Sequence, residues 1–284
     1  MLEVEMKILI AGCGYVGRAV GKYFASKGDE VWGLSRSPQG LETLGVKPIS
    51  ADLLKAETLS GLPTVDVVIL SQAPSRASDD YHKTYVEGAR NLTKVLAGKA
   101  PRKLILISST RVYGQSHGEA LWVDESTEPE PADENAKSLL EAESVVLKSR
   151  IPSVVFRLGG IYGIGRNRLR QIRSGKAKPE FADVYVNRIH VDDIVRAIEI
   201  LAEKGKPGEV YLGVDDWPST QREFYTWIYD RLSIKKPALS APGSDKKHGV
   251  SNKRCSNKKL KSLGLNFKHP SFREGYEAII KEEI

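Results

Sequence analysis

The chain is poor in several things whose absence narrows its class. Two cysteines in 284 residues, Cys13 and Cys255, leave no disulfide framework to read, so the expected compartment is a reducing cytoplasm. No apolar run approaches the ~20 residues that cross a bilayer, so no membrane partner is expected. Met1 to Met6 alternates acids with apolar residues and lacks the basic-then-apolar layout of a signal peptide. Internal repeats and low-complexity tracts are missing too. His190, Asp192 and Asp193 have no third or fourth ligand at helical spacing, so no metal site is expected and Asp192 reads as the N-cap of a helix over Ile194 to Leu201.

What remains is an ordinary globular composition, 40% hydrophobic and 28% charged, long enough for one large domain or two modest ones. The net charge is +7 and the isoelectric point about 9.2. Much of the excess lies in Arg166 to Lys178 and Lys246 to Lys261. Neither stretch interleaves aromatics for base stacking, so the basic charge reads as solvated faces or as suited to an anionic cofactor or small-molecule substrate, rather than to nucleic acid.

The most informative stretch is Lys7 to Arg36. An apolar run, Lys7 to Ala11, meets Gly12, Gly14 and Gly17 at G-x-G-x-x-G spacing, and an amphipathic segment follows at once. In a dinucleotide-binding turn the first glycine permits the tight turn, the second lets backbone approach a pyrophosphate, and the third lets helix pack on sheet. The helix start at Gly14, Tyr15, Val16 and Gly17 would hold the diphosphate on free amides and the positive end of the dipole. Cys13 reads as a small filler inside that loop.

A second strand, Glu30 to Leu34, ends in Ser35-Arg36-Ser37, with no acid. A carboxylate there would bond the ribose 2′-hydroxyl of NAD, whereas a guanidinium with flanking hydroxyls suits a 2′-phosphate. The expected cofactor is therefore NADP(H), with NAD(H) as the alternative. A third strand, Val46 to Ala51, ends at Asp52 and Leu53. In a doubly wound sheet that position lies beside the adenine, although a loop-opening cap would read the same. Val65 to Leu70 is a buried strand leading to Ser71 and Gln72, Asp79 to Ala97 reads as a long helix, and Lys103 to Ile107 is the next strand. This alternation predicts an α/β fold, a doubly wound parallel Rossmann-type sheet.

After that strand stands Ser108-Ser109-Thr110-Arg111-Val112-Tyr113-Gly114, and further on Trp122 to Glu125, Arg157 to Gly165, Arg188 to Asp193 and Phe267 to Gly275. The series resembles the extended short-chain dehydrogenase/reductase family, which includes nucleotide-sugar epimerases and dehydratases, over nearly the whole chain. The resemblance implies a dinucleotide-binding domain over 1–160, rejoined by 191–214, and a smaller substrate-binding lobe from 161–190 and 215–284. It implies that Ser109 polarises a substrate carbonyl or alcohol, and that a tyrosine four residues before a lysine exchanges the proton. Lys137 matches that lysine, and would also reach the nicotinamide ribose, but Asp133 stands in the tyrosine's place. Tyr85 likewise stands where the family has an asparagine.

A carboxylate beside a lysine titrates low and donates poorly near neutrality. Three readings follow: Asp133 acts as acid/base after desolvation, Tyr113 or Tyr85 supplies the phenol, or the fold binds a nucleotide without hydride chemistry. The expected function is an oxidoreductase or epimerase acting on a carbonyl or hydroxyl, nucleotide sugars included. The alternative is a non-catalytic sensor of NAD(P). By family analogy the protein would form a homodimer. Pro237 to Gly249 is expected to be a mobile loop.

Overall fold

The structure is a computed structural model that describes residues 6–74, 80–114, 120–177, 179, 181–237 and 252–283. The stretch expected as a mobile loop lies almost wholly outside the described residues. In chain order the first strands are β1 (Lys7–Ala11), β2 (Glu30–Ser35), β3 (Lys47–Ser50), β4 (Val67–Leu70), β5 (Lys103–Ser109) and β6 (Leu121–Val123). They are followed by β7 (Ser153–Leu158), β8 (Gly160–Tyr162), β9 (Tyr185–Val186), β10 (Arg188–His190), β11 (Val210–Gly213), β12 (Ser219–Thr220) and β13 (Lys253–Cys255). The helices are α1 (Tyr15–Ser26), α2 (Gly88–Leu96), α3 (Glu134–Leu147), α4 (Leu169–Arg173), α5 (Val191–Lys204), α6 (Gln221–Arg231), α7 (Lys258–Lys261) and α8 (Phe272–Glu283).

Seven strands form one parallel sheet in the order β3-β2-β1-β4-β5-β7-β11. The chain leaves β3 at one edge and resumes beyond β1 at β4. That reversal is where a doubly wound sheet opens a crevice at its carboxyl ends. Both faces are covered, which explains why β4 reads as Val67-Val68-Ile69-Leu70 with no alternation: all four residues are fully buried. One face packs α1 and α5 through Val20, Phe24, Ile194, Ile198 and Leu201, and the other packs α2 and α3 through Leu92, Leu96 and Val146.

Around the crevice, three two-stranded ladders carry the rest of the chain: β8 with β10, β9 with β12, and β6 with β13. Tyr162, Phe224, Tyr229, Phe272 and Tyr276 build a separate aromatic core beneath α4, α6 and α8.

The expected long helix is in fact two geometries, a π-turn over Lys83–Glu87 running into α2. Helix α3 starts at Glu134. Asp133 is its N-cap, accepting from the Ala136 amide at 2.9 Å, so Glu134 to Lys137 form its first turn. At α5 the cap is His190 rather than Asp192. The His190 Nδ1 accepts from the Asp192 amide at 3.2 Å, which leaves the Asp192 carboxylate inside the first turn and free to pair elsewhere.

Behind the sheet's carboxyl end lies a sealed charge pair. Arg157 on β7 and Glu143 on α3 are 5% and 3% exposed and meet at 2.6 Å. Ser108 donates to the same carboxylate, and Arg157 Nη1 donates to the Tyr113 hydroxyl at 2.6 Å. Removing one member strands the other charge in the interior. Glu143→Ala should therefore cost about 3–5 kcal/mol in urea denaturation, and Glu143→Ala combined with Arg157→Leu should cost less than Glu143→Ala alone.

Candidate functional site

The glycine turn has the shape its spacing predicts. Gly12 adopts a φ of +105°, and a Cβ there would stand 2.6 Å from the Gln72 backbone nitrogen. A Cβ on Gly17 would lie 2.2 Å from the Gly12 carbonyl oxygen, so helix α1 can approach the turn only without a side chain at this point. A Cβ on Gly14 would meet nothing within 4 Å. Gly14 is also the N-cap of α1 and offers no side-chain cap, so no cap satisfies the amides of Tyr15, Val16 and Gly17. Open space over uncapped amides at a helix start fits a diphosphate.

The Tyr15 hydroxyl donates to the Ile164 carbonyl at 2.9 Å and ties this turn to the loop after β8. Burial pushes the Cys13 thiol up to about 12, which makes it a filler and not a nucleophile. Ser71 at the end of β4 donates to the Gly12 carbonyl at 2.6 Å, and Gln72 donates to the Tyr85 carbonyl at 3.2 Å. Both residues brace the crevice wall.

At the end of β2, Ser35 Oγ accepts from the Ser37 amide at 3.2 Å, and Arg36 is exposed. Arg18, which follows Gly17 directly, reaches the same loop and donates to the Gln39 carbonyl at 2.8 Å. The sequence reading passed over Arg18. A basic residue one step past the third glycine was the available signal. Asp52 accepts from the Leu54 amide at 3.0 Å in a tight local turn, and Leu53 is buried with its carbonyl held by Asn91 at 2.9 Å.

The other end of the crevice carries the remaining candidates. Ser109 caps a 3-10 turn over Thr110–Val112, and its Oγ accepts from the Arg111 amide at 3.2 Å. Its O–H donates to no described residue and is available to a ligand oxygen. Arg111 forks onto Asp133, with Nη2 at 2.7 Å and Nε at 3.2 Å from Oδ2. The guanidinium and the Ala136 amide hold the Asp133 carboxyl below the ordinary aspartate range. Asp133 therefore lacks the raised pKa that service as an acid near neutrality requires. Lys137 is exposed and pairs with Glu134 at 2.7 Å along the same helix. Tyr113 is fully buried, donates to the Asp124 carbonyl at 3.0 Å and is pushed up to about 12 by burial, so it belongs to the brace behind the site.

The third ligand that sequence spacing did not offer His190 and Asp192 arrives from the tail as His269. Part of the cluster is already engaged, although the buried His190 Nε2 has no partner among the described residues. Asp192 Oδ2 pairs with Lys268 at 2.7 Å and lies 3.4 Å from His269 Nε2, while His190 Nδ1 caps α5. These contacts tie the tail to the start of α5.

With the geometry in view, the family is plain. The sequence profile of the NAD dependent epimerase/dehydratase family matches residues 8–212, and the chain belongs to that family. A solved structure from Methylobacillus flagellatus, provisionally assigned as an NAD-dependent epimerase/dehydratase, is 32% identical. It superposes with a TM-score of 0.83, covering 99% of each chain. Protein YeeZ of Escherichia coli K12 is 27% identical over 275 residues, covering 93% of this chain and 96% of its own. A 4-hydroxy-2-methyl-3-oxo-4-farnesyl-3,4-dihydroquinoline-1-oxide ketoreductase of Stigmatella aurantiaca is 27% identical over 257 residues, covering 81% of this chain and 74% of its own. A nicotinamide dinucleotide accords with this membership. Among the described residues no helix is long and apolar enough to cross a membrane.

Burial and the neighbouring His269 push His190 down from 6.5 to about 4, with Asp192 opposing and Lys268 adding to the shift. The unfolded chain thus binds this proton near pH 6.5 and the folded chain only near pH 4. Stability from the neutral ring is intact above the higher value and is lost as pH falls to the lower, by about 3 kcal/mol. His190→Asn keeps a capping side chain, and in urea titrations between those pH values it should show a flatter loss of stability than the parent.

Proposed function

We propose that this protein is an NADP(H)-dependent oxidoreductase that interconverts a carbonyl and an alcohol on a small, anionic substrate, with nucleotide sugars among the candidates. The observation that carries this reading is the pairing of an uncapped helix start, open at Gly14, with the unengaged donor of Ser109 at the far end of one crevice. The ketoreductase relative supports carbonyl chemistry for such a frame.

In this reading the amides at Gly14 to Gly17 hold the diphosphate. Arg36, with Ser35, Ser37 and Arg18 alongside, meets the 2′-phosphate, Asp52 and Leu53 border the adenine, and Ser71 and Gln72 line the wall beyond. Bound there, the cofactor supplies a hydride donor or acceptor at its nicotinamide ring. Ser109 donates to the substrate oxygen and stabilises charge that develops on it. Lys137 turns from Glu134 to the nicotinamide ribose. Residues 1–160 and 191–214 form the cofactor-binding part, and 161–190 with 215–284 form the lobe that selects substrate.

A second reading has one observation in its favour. Asp133 replaces the family tyrosine and is locked in an ion pair, as a protein that binds NADP(H) without turning it over could tolerate.

Calorimetry tests the cofactor assignment. Arg36→Asp should weaken NADPH binding tenfold or more, about 1.4 kcal/mol, and change NADH binding little; equal losses would remove the assignment. Ser109→Ala should lower turnover on a panel of carbonyl compounds and nucleotide sugars about 100-fold or more while leaving NADPH affinity intact. Binding with no turnover by the parent protein would favour the sensor.

A further inference from the structure

We infer that Tyr85 is the proton donor of this site, with Arg111 as the cation that faces it and Asp133 as the residue that holds Arg111 in place. The inference rests on the oxidoreductase reading above.

The first observation is backbone geometry. Tyr85 sits at the centre of the π-turn Lys83–Glu87. An inserted residue in a helix re-aims side chains and frees a carbonyl, and such turns concentrate at functional sites. The Tyr85 carbonyl is the one that Gln72 takes up, at 3.2 Å. A Cβ on Gly88 would stand 2.3 Å from that same Gln72 amide, so the chain is built to let the two come close. The turn is therefore anchored to the crevice wall by its own irregularity.

The second observation is what the ring faces. Tyr85 is partly buried against the cluster that includes Val112, Tyr113 and Leu139, from the turn after β5 and from α3. Tyr81 lies against it at 5.6 Å between ring centres. Among the described residues the charge acting on it is Arg111 from the turn after β5, itself paired with Asp133 from α3, and from its own segment the Tyr81 phenol. The Tyr85 hydroxyl has no partner among the described residues and is not sealed from solvent. Each other candidate is committed: Asp133 is ionised and forked, and the Tyr113 hydroxyl is used twice in the interior.

The step balances with a reduced nicotinamide as hydride source. The carbonyl carbon accepts the hydride, the π pair of the C=O bond moves onto oxygen, and the Tyr85 O–H bond breaks to give that oxygen its proton. The resulting phenolate, beside the Arg111 guanidinium, is reprotonated from water.

The protonation state follows from the surroundings. Burial pushes the Tyr85 phenol up to about 12, with Tyr81 adding to the rise and Arg111 opposing it. Such a phenol stays protonated at neutral pH and can give its proton to an alkoxide, which is more basic still. It has almost no phenolate to accept a proton from an alcohol.

Two measurements decide the matter. In the protein without cofactor, the pH-dependent phenolate absorbance of the parent minus that of Tyr85→Phe isolates the Tyr85 titration, and the same difference in an Arg111→Met background should move to higher pH. In turnover, Tyr85→Phe should lose about 100-fold or more in kcat for carbonyl reduction, with NADPH affinity by calorimetry unchanged and Tyr81→Phe close to the parent. Full reduction by Tyr85→Phe, or a Tyr85 curve indifferent to Arg111→Met, overturns the inference and leaves the oxidoreductase reading standing. A parent protein that binds NADPH and reduces no carbonyl overturns both.

Discussion

The contact between the missing side chain of Gly17 and the carbonyl oxygen of Gly12 sets the geometry of the crevice. Even a methyl group would lie 2.2 Å from that oxygen and 3.1 Å from Ile10, so α1 lies as near β1 as backbone allows. That closeness puts the α1 amides at the carboxyl end of the sheet, where β1 and β4 diverge in connection and a ligand can enter. It also fixes the neighbours. Ser71 bonds the Gly12 carbonyl, and Gln72 passes directly beneath Gly12 at a distance no Cβ would permit. From Gln72 the constraint runs on to the π-turn. One close packing thus links the glycine turn to the wall that carries Tyr85.

The opposite end of the crevice is held from behind. Consecutive residues of a strand point to opposite faces, and at the end of β5 this separates two serines of like chemistry. Ser108 turns into the sealed Glu143–Arg157 pair, while Ser109 turns to the crevice. Burying two charges costs several kcal/mol for each ion before their attraction offsets it. A net gain in stability is therefore a weak account of the pair. Its geometry suggests a brace: it joins α3, β5, β7 and the Tyr113 turn, four elements that frame Ser109, with bidentate directionality that apolar packing lacks.

Much of this was legible in the chain. The sheet could be read because its signals are local: Val67 to Leu70 is apolar throughout, and the three glycines follow β1 within seven residues. The family could be read because its motifs recur in order. What escaped depends on contacts far apart in sequence. His269 joins Asp192 across 77 positions, and nothing near His190 announces it. The cap of α5 moved from Asp192 to His190 because an imidazole nitrogen can accept an amide as a carboxylate does, a possibility that residue preferences pass over. The π-turn left no mark in the apolar pattern, since Val86 within it and Ala89 and Leu92 after it are all buried. Arg18 was read only as part of a helix.

Asp133 shows most clearly why a motif position and a role are different things. At that place a carboxylate on its own would oppose catalysis, because negative charge grows on the substrate oxygen as a carbonyl is reduced and a second negative charge nearby would raise the barrier. The structure removes the conflict. Both carboxylate oxygens are engaged by Arg111, one also by the amide of Ala136, and the charge is cancelled where it stands. The same fork fixes a guanidinium beside the turn that presents Ser109, where its field favours anionic oxygen. Asp133 thereby turns from an obstacle into the means by which a cation is held. The lysine at the family spacing lies on the surface with Glu134, so Arg111 rather than Lys137 is the cation that Asp133 holds. A site that lost its tyrosine at this position alone would have lost its acid. With Arg111 forked onto Asp133 and the Tyr81 and Tyr85 phenols within its field, the charge here is arranged around an ion pair rather than a tyrosine.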